Sequence, residues 1–164
     1  MKCNGFFLSL ALLAAIGAVA SPRGTASGAS CRSSGLVVWT AGPGDGAAGS
    51  VYLTLGLTNQ SGHACTLTGF PGVSAVDLQG KALGRPASRD RSTIRTVRLD
   101  SGATAHVRLR IVNALNFPPS TCRPRAAAGL RVYPPGETTS KVVPIPFEAC
   151  SRSGPVFLSV RAVA

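Results

Sequence analysis

Between Ser50 and Asn59 the chain alternates: Val51, Leu53, Leu55 and Leu57 fall on one parity, and Tyr52, Thr54 and Thr58 on the other. A period of two belongs to a strand, whose successive side chains point to opposite faces. The pattern returns over residues 103–112. There Ala105, Val107, Leu109 and Ile111 are expected to point inward, and His106, Arg108 and Arg110 outward. Two such half-buried strands commit the chain to a sheet with one wet face, which is the habit of antiparallel pairing.

The remaining sequence reads as more strands separated by turn signals. Residues 36–40 make a first strand carrying Trp39, the only tryptophan, and residues 41–48 read as a loop of Gly, Ala and Asp. Residues 64–68 form a short strand, and Gly69-Phe70-Pro71-Gly72 matches a type II turn. Residues 73–78 and 81–84 flank Gln79-Gly80 as a hairpin, residues 85–91 form a basic loop, and residues 93–99 lead through Asp100-Ser101-Gly102 into the second alternating strand. A long irregular connection over residues 113–128 precedes strands at 130–133, 141–145 and 156–162. The expectation is an all-β fold of about eight or nine antiparallel strands, with turns roughly every 8–12 residues, in two packed sheets; a closed barrel is the alternative. With 14% charged residues, 19 Gly and 12 Pro, a coiled coil is excluded and a long helical bundle is disfavoured.

The first residues read as an address. Lys2 precedes an apolar run from Phe6 to Val19, and Ala18-Val19-Ala20 is a small-x-small cleavage signal before Ser21-Pro22. The run is shorter than the roughly 18 residues a spanning helix needs, so residues 1–20 are expected to be a secretory signal peptide rather than a retained anchor. No transmembrane helix is expected once it is removed. Lipid attachment would need a cysteine directly after the apolar run; Cys3 precedes it and Cys31 lies well beyond it. Residues 21–30 read as a disordered leader, and residues 31–164 as one domain.

Of five cysteines, Cys3 would leave with the leader, and Cys31, Cys65, Cys122 and Cys150 remain. An even set in an exported chain reads as two disulfides. Three connectivities are open. Pairing in chain order, Cys31 with Cys65 and Cys122 with Cys150, is favoured because it staples the first strand to its neighbour and the long loop to the last hairpin. No close cysteine pair suits zinc, and His63-Ala64-Cys65 reads as a turn beside a disulfide, so no metal site is expected.

Several stretches together resemble one family. They are Cys31-Arg32-Ser33-Ser34-Gly35-Leu36-Val37, then the most specific stretch, Asn59-Gln60-Ser61-Gly62-His63-Ala64-Cys65-Thr66-Leu67-Thr68-Gly69-Phe70-Pro71-Gly72-Val73-Ser74, and Ser101-Gly102-Ala103-Thr104-Ala105-His106. Cys122-Arg123-Pro124, Leu130-Arg131-Val132-Tyr133-Pro134-Pro135-Gly136 and Ala149-Cys150-Ser151 complete the set. The chain resembles the domain of unknown function 4232 family of exported proteins of high-GC Gram-positive bacteria. The resemblance implies a secreted or lipid-anchored immunoglobulin-like sandwich with all four cysteines paired. It implies no reaction, substrate or catalytic residue.

Catalytic constellations are sparse. His63 and His106 are the only histidines, and no G-x-S-x-G elbow accompanies them. Of the six acids, Asp45, Asp90, Asp100 and Glu137 fall in expected loops or turns; Asp77 and Glu148 are the others. No nucleotide-binding loop occurs, and no cofactor is expected. Asn59-Gln60-Ser61 matches a glycosylation sequon and is assigned to a turn.

Charge supplies the positive hint: 17 Lys and Arg stand against 6 Asp and Glu. Arg85, Arg89, Arg91, Arg95 and Arg98 cluster, Arg108 and Arg110 sit on an outward strand face, and a hairpin through Asp100-Ser101-Gly102 would bring Arg98 close to them. Guanidinium forks grip carboxylate and phosphate, so these seven form a candidate anion-binding surface. The competing view is ordinary solubilising charge. Outside the cell the anions would be envelope polymers, lipid head groups or an acidic protein; nucleic acid is not expected there, and aromatics at 5% are thin for single-stranded binding. The expectation is a secreted, non-enzymatic binding or structural module. A partner-recognition module using loops 41–48 or 113–128, and an unrecognised hydrolase built on His106, are the alternatives.

Overall fold

The computed structural model describes Met1 and residues 28–164. The expected signal peptide and most of the expected leader lie outside the described residues. Gly28, Ala29 and Ser30, the leader's last residues, already run beside Thr66: Thr66 donates its amide to Ala29 O and its hydroxyl to Gly28 O.

Among the described residues, eleven strands form three sheets. Five of them, β1 (Leu36–Ala47), β2 (Ser50–Asn59), β8 (Thr104–Val112), β11 (Leu158–Val160) and β6 (Ser88–Arg89), hydrogen-bond in the order β1-β2-β8-β11-β6. A second sheet has the order β10-β9-β4-β5, from β10 (Lys141–Cys150), β9 (Pro124–Tyr133), β4 (Gly72–Val76) and β5 (Ala82–Leu83). β3 (Cys65–Thr68) and β7 (Thr96–Leu99) pair as a two-stranded sheet. The arrangement is the expected β-sandwich, with more strands than the sequence suggested, β1, β9 and β10 running longer and β5 and β11 shorter than expected. All ladders are antiparallel except β6 on β11, which is parallel.

The alternation dictates the layers. Leu53, Leu55 and Leu57 of β2 and Ala105, Val107, Leu109 and Ile111 of β8 are buried, as are Leu158 and Val160 of β11. They share one core with Val73 and Ala75 of β4, Leu130 and Val132 of β9, Val143 of β10, and Phe157. At roughly 25 cal/mol per Å2 of apolar surface, this burial is the main force holding the sheets together. Cys31–Cys65 ties the segment before β1 to β3, and Cys122–Cys150 ties the four-residue helix α1 (Pro119–Cys122) to the end of β10, the favoured pairing.

Four local expectations are corrected. Residues 41–47 are not a loop: β1 continues past a bulge, where Gly42, Pro43 and Gly44 oppose the single residue Leu53, and pairs Asp45 with Tyr52. The real turn is Ala48-Gly49, both with positive φ (45° and 72°), the type I′ geometry that suits the twist of a hairpin. The second loop ends at Arg123 rather than 128, because the Ala-rich stretch after Pro124 pairs with β10. In Gly69-Phe70-Pro71-Gly72 the positive φ, 97°, belongs to Gly69, while Gly72 opens β4, so the turn is not type II across Pro71-Gly72. Finally, β7 and β8 form no hairpin: β7 leaves to pair with β3.

Asn59 explains that last departure. It is fully buried at the end of β2. Its Nδ2 donates to His63 O (2.7 Å), Leu99 O (3.0 Å) and Asp100 O (3.3 Å), while its Oδ1 accepts from Ser61 N and Oγ. Asn59 N donates to Ala103 O, and Gly102 N donates to Asn59 O. The Asp100–Gly102 turn is thus bolted to the end of β2. The chain leaving it lies along β2 as β8, and the chain entering it is directed to β3. The sequon asparagine is a structural corner with its amide fully engaged.

A candidate anion-binding face

The outer face of the five-stranded sheet is set by register. Tyr52 of β2 stands opposite Arg110 of β8, Thr54 opposite Arg108 and Gly56 opposite His106. On the other side of β8, Ser159 stands opposite Arg110, and Arg161 N donates to Arg108 O. The parity that sends Val107, Leu109, Leu158 and Val160 into the core therefore sends Arg108, Arg110, Ser159 and Arg161 outward together.

Tyr52, Asp90, Arg108, Arg110 and Arg161 line a recess of about 220 Å3 on this face. The Arg108 guanidinium sits 4.7 Å from the Tyr52 ring centroid and that of Arg110 sits 6.0 Å away. Arg110 Nε also donates to Ser50 Oγ at 3.0 Å. Stacking on an aromatic face is worth about 0.5–1 kcal/mol at an exposed site and holds a guanidinium without consuming all its N–H donors. Asp90 is the one acid of the recess, and its Oδ2 accepts from Ser159 Oγ. All six acids of the chain lie among the described residues, and none forms an ion pair with Arg108, Arg110 or Arg161; the ion pairs found are Arg32–Glu137 and Arg98–Asp100. Three cations face one carboxylate, with donors left over.

The seven arginines picked out in the sequence fall on several elements. Arg108 and Arg110 stand together. Arg98 faces Thr66 across the β3–β7 ladder and pairs with Asp100 at 3.1 Å, apart from them because the expected hairpin does not form. Arg89, on the edge strand β6, lies 5.5 Å from the Phe70 centroid. Arg85, Arg91 and Arg95 are exposed in the connections around β6 and before β7. Arg161 was missed. Its outward parity in Leu158-Ser159-Val160-Arg161 was legible, but its place beside Arg108 depends on a pairing between distant strands.

A second basic recess, of about 310 Å3, joins Lys81, Arg123, Arg125 and Arg152 around Asp77. There Arg152 Nη1 is engaged with Ser120 O, and Asp77 Oδ1 accepts from Gln79 N and Lys81 N. None of the guanidinium–aromatic contacts that organise the first recess occurs there among the described residues.

Neither imidazole hydrogen-bonds a serine hydroxyl or a carboxylate among the described residues. His63 lines a cleft of about 410 Å3 beside the Cys31–Cys65 bridge, with Arg32 and Ser61. The Ser61 hydroxyl there donates to Asn59 Oδ1 at 2.7 Å and lies 3.0 Å from His63 O, so it serves the turn. His106 is exposed on the outer sheet face. Among the described residues no group of three or more His, Cys, Asp or Glu is placed to hold a metal ion, and no helix is long and apolar enough to cross a membrane.

Compared with known families, residues 31–164 match the model described as Domain of unknown function (DUF4232). No curated protein and no solved structure matches the chain.

Proposed function

We propose that this chain, which belongs to the DUF4232 family, is an exported, non-enzymatic binding module of the cell envelope or extracellular space. It holds anionic envelope material on the outer face of its five-stranded sheet. The observation that carries this reading is the recess lined by Arg108, Arg110 and Arg161, the first two set against the Tyr52 ring, with Asp90 as its only acid. Pre-positioned guanidinium groups on a rigid sheet lose little freedom when an anion docks, which is where binding gains over loose surface charge. Two disulfides support an oxidising compartment, and the apolar leader with its small-x-small end supports export. That neither imidazole hydrogen-bonds a serine hydroxyl or a carboxylate among the described residues supports binding over turnover.

The ligand class is an anionic polymer, lipid head group or acidic protein outside the cell. Exposed charges attract through solvent and are screened beyond about 8 Å at physiological salt, so retention on purified envelope fractions is expected to fall steeply as salt rises. The triple variant R108A/R110A/R161A is expected to lose that retention. Retention indifferent to salt, or absent even at low salt, overturns the proposal.

A further inference from the structure

Four residues along β2 from Tyr52, on the same outer face, Gly56 lies beneath the indole of Trp39. A Cβ at position 56 would stand 2.5 Å from Cε2, 2.7 Å from Cζ2 and 2.8 Å from Nε1 of Trp39. Three ring atoms at nearly equal distance mean that the ring meets the strand with its face. The Trp39 Nε1 donates to Thr58 Oγ1 at 2.9 Å, and Thr58 Oγ1 shares a hydrogen bond with Thr104 Oγ1 at 2.8 Å. The indole's only polar atom is thereby satisfied and its orientation fixed. Trp39 nevertheless remains 38% exposed. What it offers outward is an apolar π surface lying parallel to the sheet.

This surface and the guanidinium recess share one rigid plane. His106 stands beside Gly56, Arg108 two residues on and Arg110 four residues on, so the two features span about 14 Å along the strands. We infer that the face takes an acidic polysaccharide: the C–H face of one sugar ring stacks on Trp39, and a carboxylate or phosphate further along the chain is gripped by Arg108, Arg110 and Arg161. An acidic glycan brings flat C–H faces and anionic groups together on one extended chain. A bilayer gives no use to an aromatic that lies flat and cannot insert, and the backbone of an acidic peptide has no flat C–H face to lay on the indole. The inference rests on the arginine face being the binding surface and adds the chemistry that Trp39 recognises.

Because Trp39 is the only tryptophan, its emission reports directly on the platform. The test titrates the disulfide-intact protein at low salt with polygalacturonate, dextran, polyphosphate and phosphatidylglycerol vesicles. Polygalacturonate is expected to bind and shift or quench the emission, W39A to weaken that binding at least about tenfold, and W39F to restore most of it. Polyphosphate is expected to bind through the arginines without changing the emission, and equally to W39A; dextran is expected not to bind. Polygalacturonate binding with a silent tryptophan and an unaffected W39A overturns the glycan inference while leaving the arginine reading standing. Equal binding of dextran, or tighter Trp39-dependent binding of the vesicles, also overturns it. Failure of both polyanions to bind the unsubstituted protein sinks both readings together.

Discussion

The backbone N–H of Ser33 donates to Glu137 Oε2 at 2.8 Å, joining the turn before β1 to the loop between β9 and β10 across 104 residues of chain. Ser33 Oγ donates to Thr139 O at 2.6 Å in the same junction, and Arg32 Nη1 lies 3.8 Å from Glu137 Oε1. The segment before β1 and the β9–β10 loop are latched here by the Glu137 carboxylate and the Ser33–Thr139 bond.

The latch is expected to depend on pH. The hydrogen bond from the Ser33 backbone first, and to a smaller extent the charge of Arg32, hold the Glu137 carboxyl below the usual carboxylate range. A depressed folded-state pKa means that the stabilisation is fully present above the unfolded value and is lost as pH falls through the folded one. E137Q should therefore be less stable than the unsubstituted protein at neutral pH, with the gap closing in acid. Urea midpoints for both proteins at neutral and strongly acidic pH check this, and a gap independent of pH would remove the carboxylate's role.

Asn59 should be among the costliest polar positions. Replacing it with Ala strips the amide from the carbonyls of His63 and Leu99, leaves Asp100 O with Ala103 N alone, and unties the Ser61 turn. At about 1–3 kcal/mol per buried group left unsatisfied, N59A is expected to cost about 2–4 kcal/mol. N59D, which aims a carboxylate at three carbonyls, should cost more. Denaturant unfolding measures both, and a cost under about 1 kcal/mol would show that the β7–β8 corner is held by other bonds.

Asn59 also marks where the sequence stops being legible. β2 and β8 were readable because each buries one face and wets the other, leaving a period of two. The second half of β1 was not, because Gly42, Gly44, Gly46 and Ala47 have too little side chain to show a pattern, and that stretch is held by the ladder to β2. The Ala-rich start of β9 was hidden for the same reason. The hairpin expected to bring Arg98 towards Arg108 does not form; a three-residue turn between alternating runs resembles a hairpin, and only the buried Asn59 amide reveals the corner. The recess needed a long-range fact, that β11 lies beside β8, which no local pattern encodes.

Each disulfide should contribute separately. The Cys31–Cys65 and Cys122–Cys150 bridges span 34 and 28 positions of chain, which in the chain-entropy account corresponds to about 3–4 kcal/mol each. C31S/C65S and C122S/C150S are expected to lower the unfolding free energy by roughly that amount. The first should also free residues 28–30 from β3, read as faster amide exchange at Thr66, whose N–H bonds Ala29 O. Unchanged exchange at Thr66 would show that the pairing along β3 stands without the bridge.

Gly56 offers the sharpest structural check on the outer face. A methyl group there would meet the Trp39 ring at 2.5 Å, and because the indole is part-exposed on an edge strand, the ring and not the backbone should yield. G56A is expected to lift Trp39 off the sheet and break its bond to Thr58 Oγ1. The stability cost should stay within about 1–3 kcal/mol, the usual range for a small overpacking, because a swinging side chain relieves the clash. Trp39 emission should move to longer wavelength as the indole enters water, while the far-ultraviolet circular dichroism stays that of the sandwich. An unshifted emission in a folded G56A protein would mean that the indole is not seated on Gly56, and the flat aromatic surface beside the arginines would go with it.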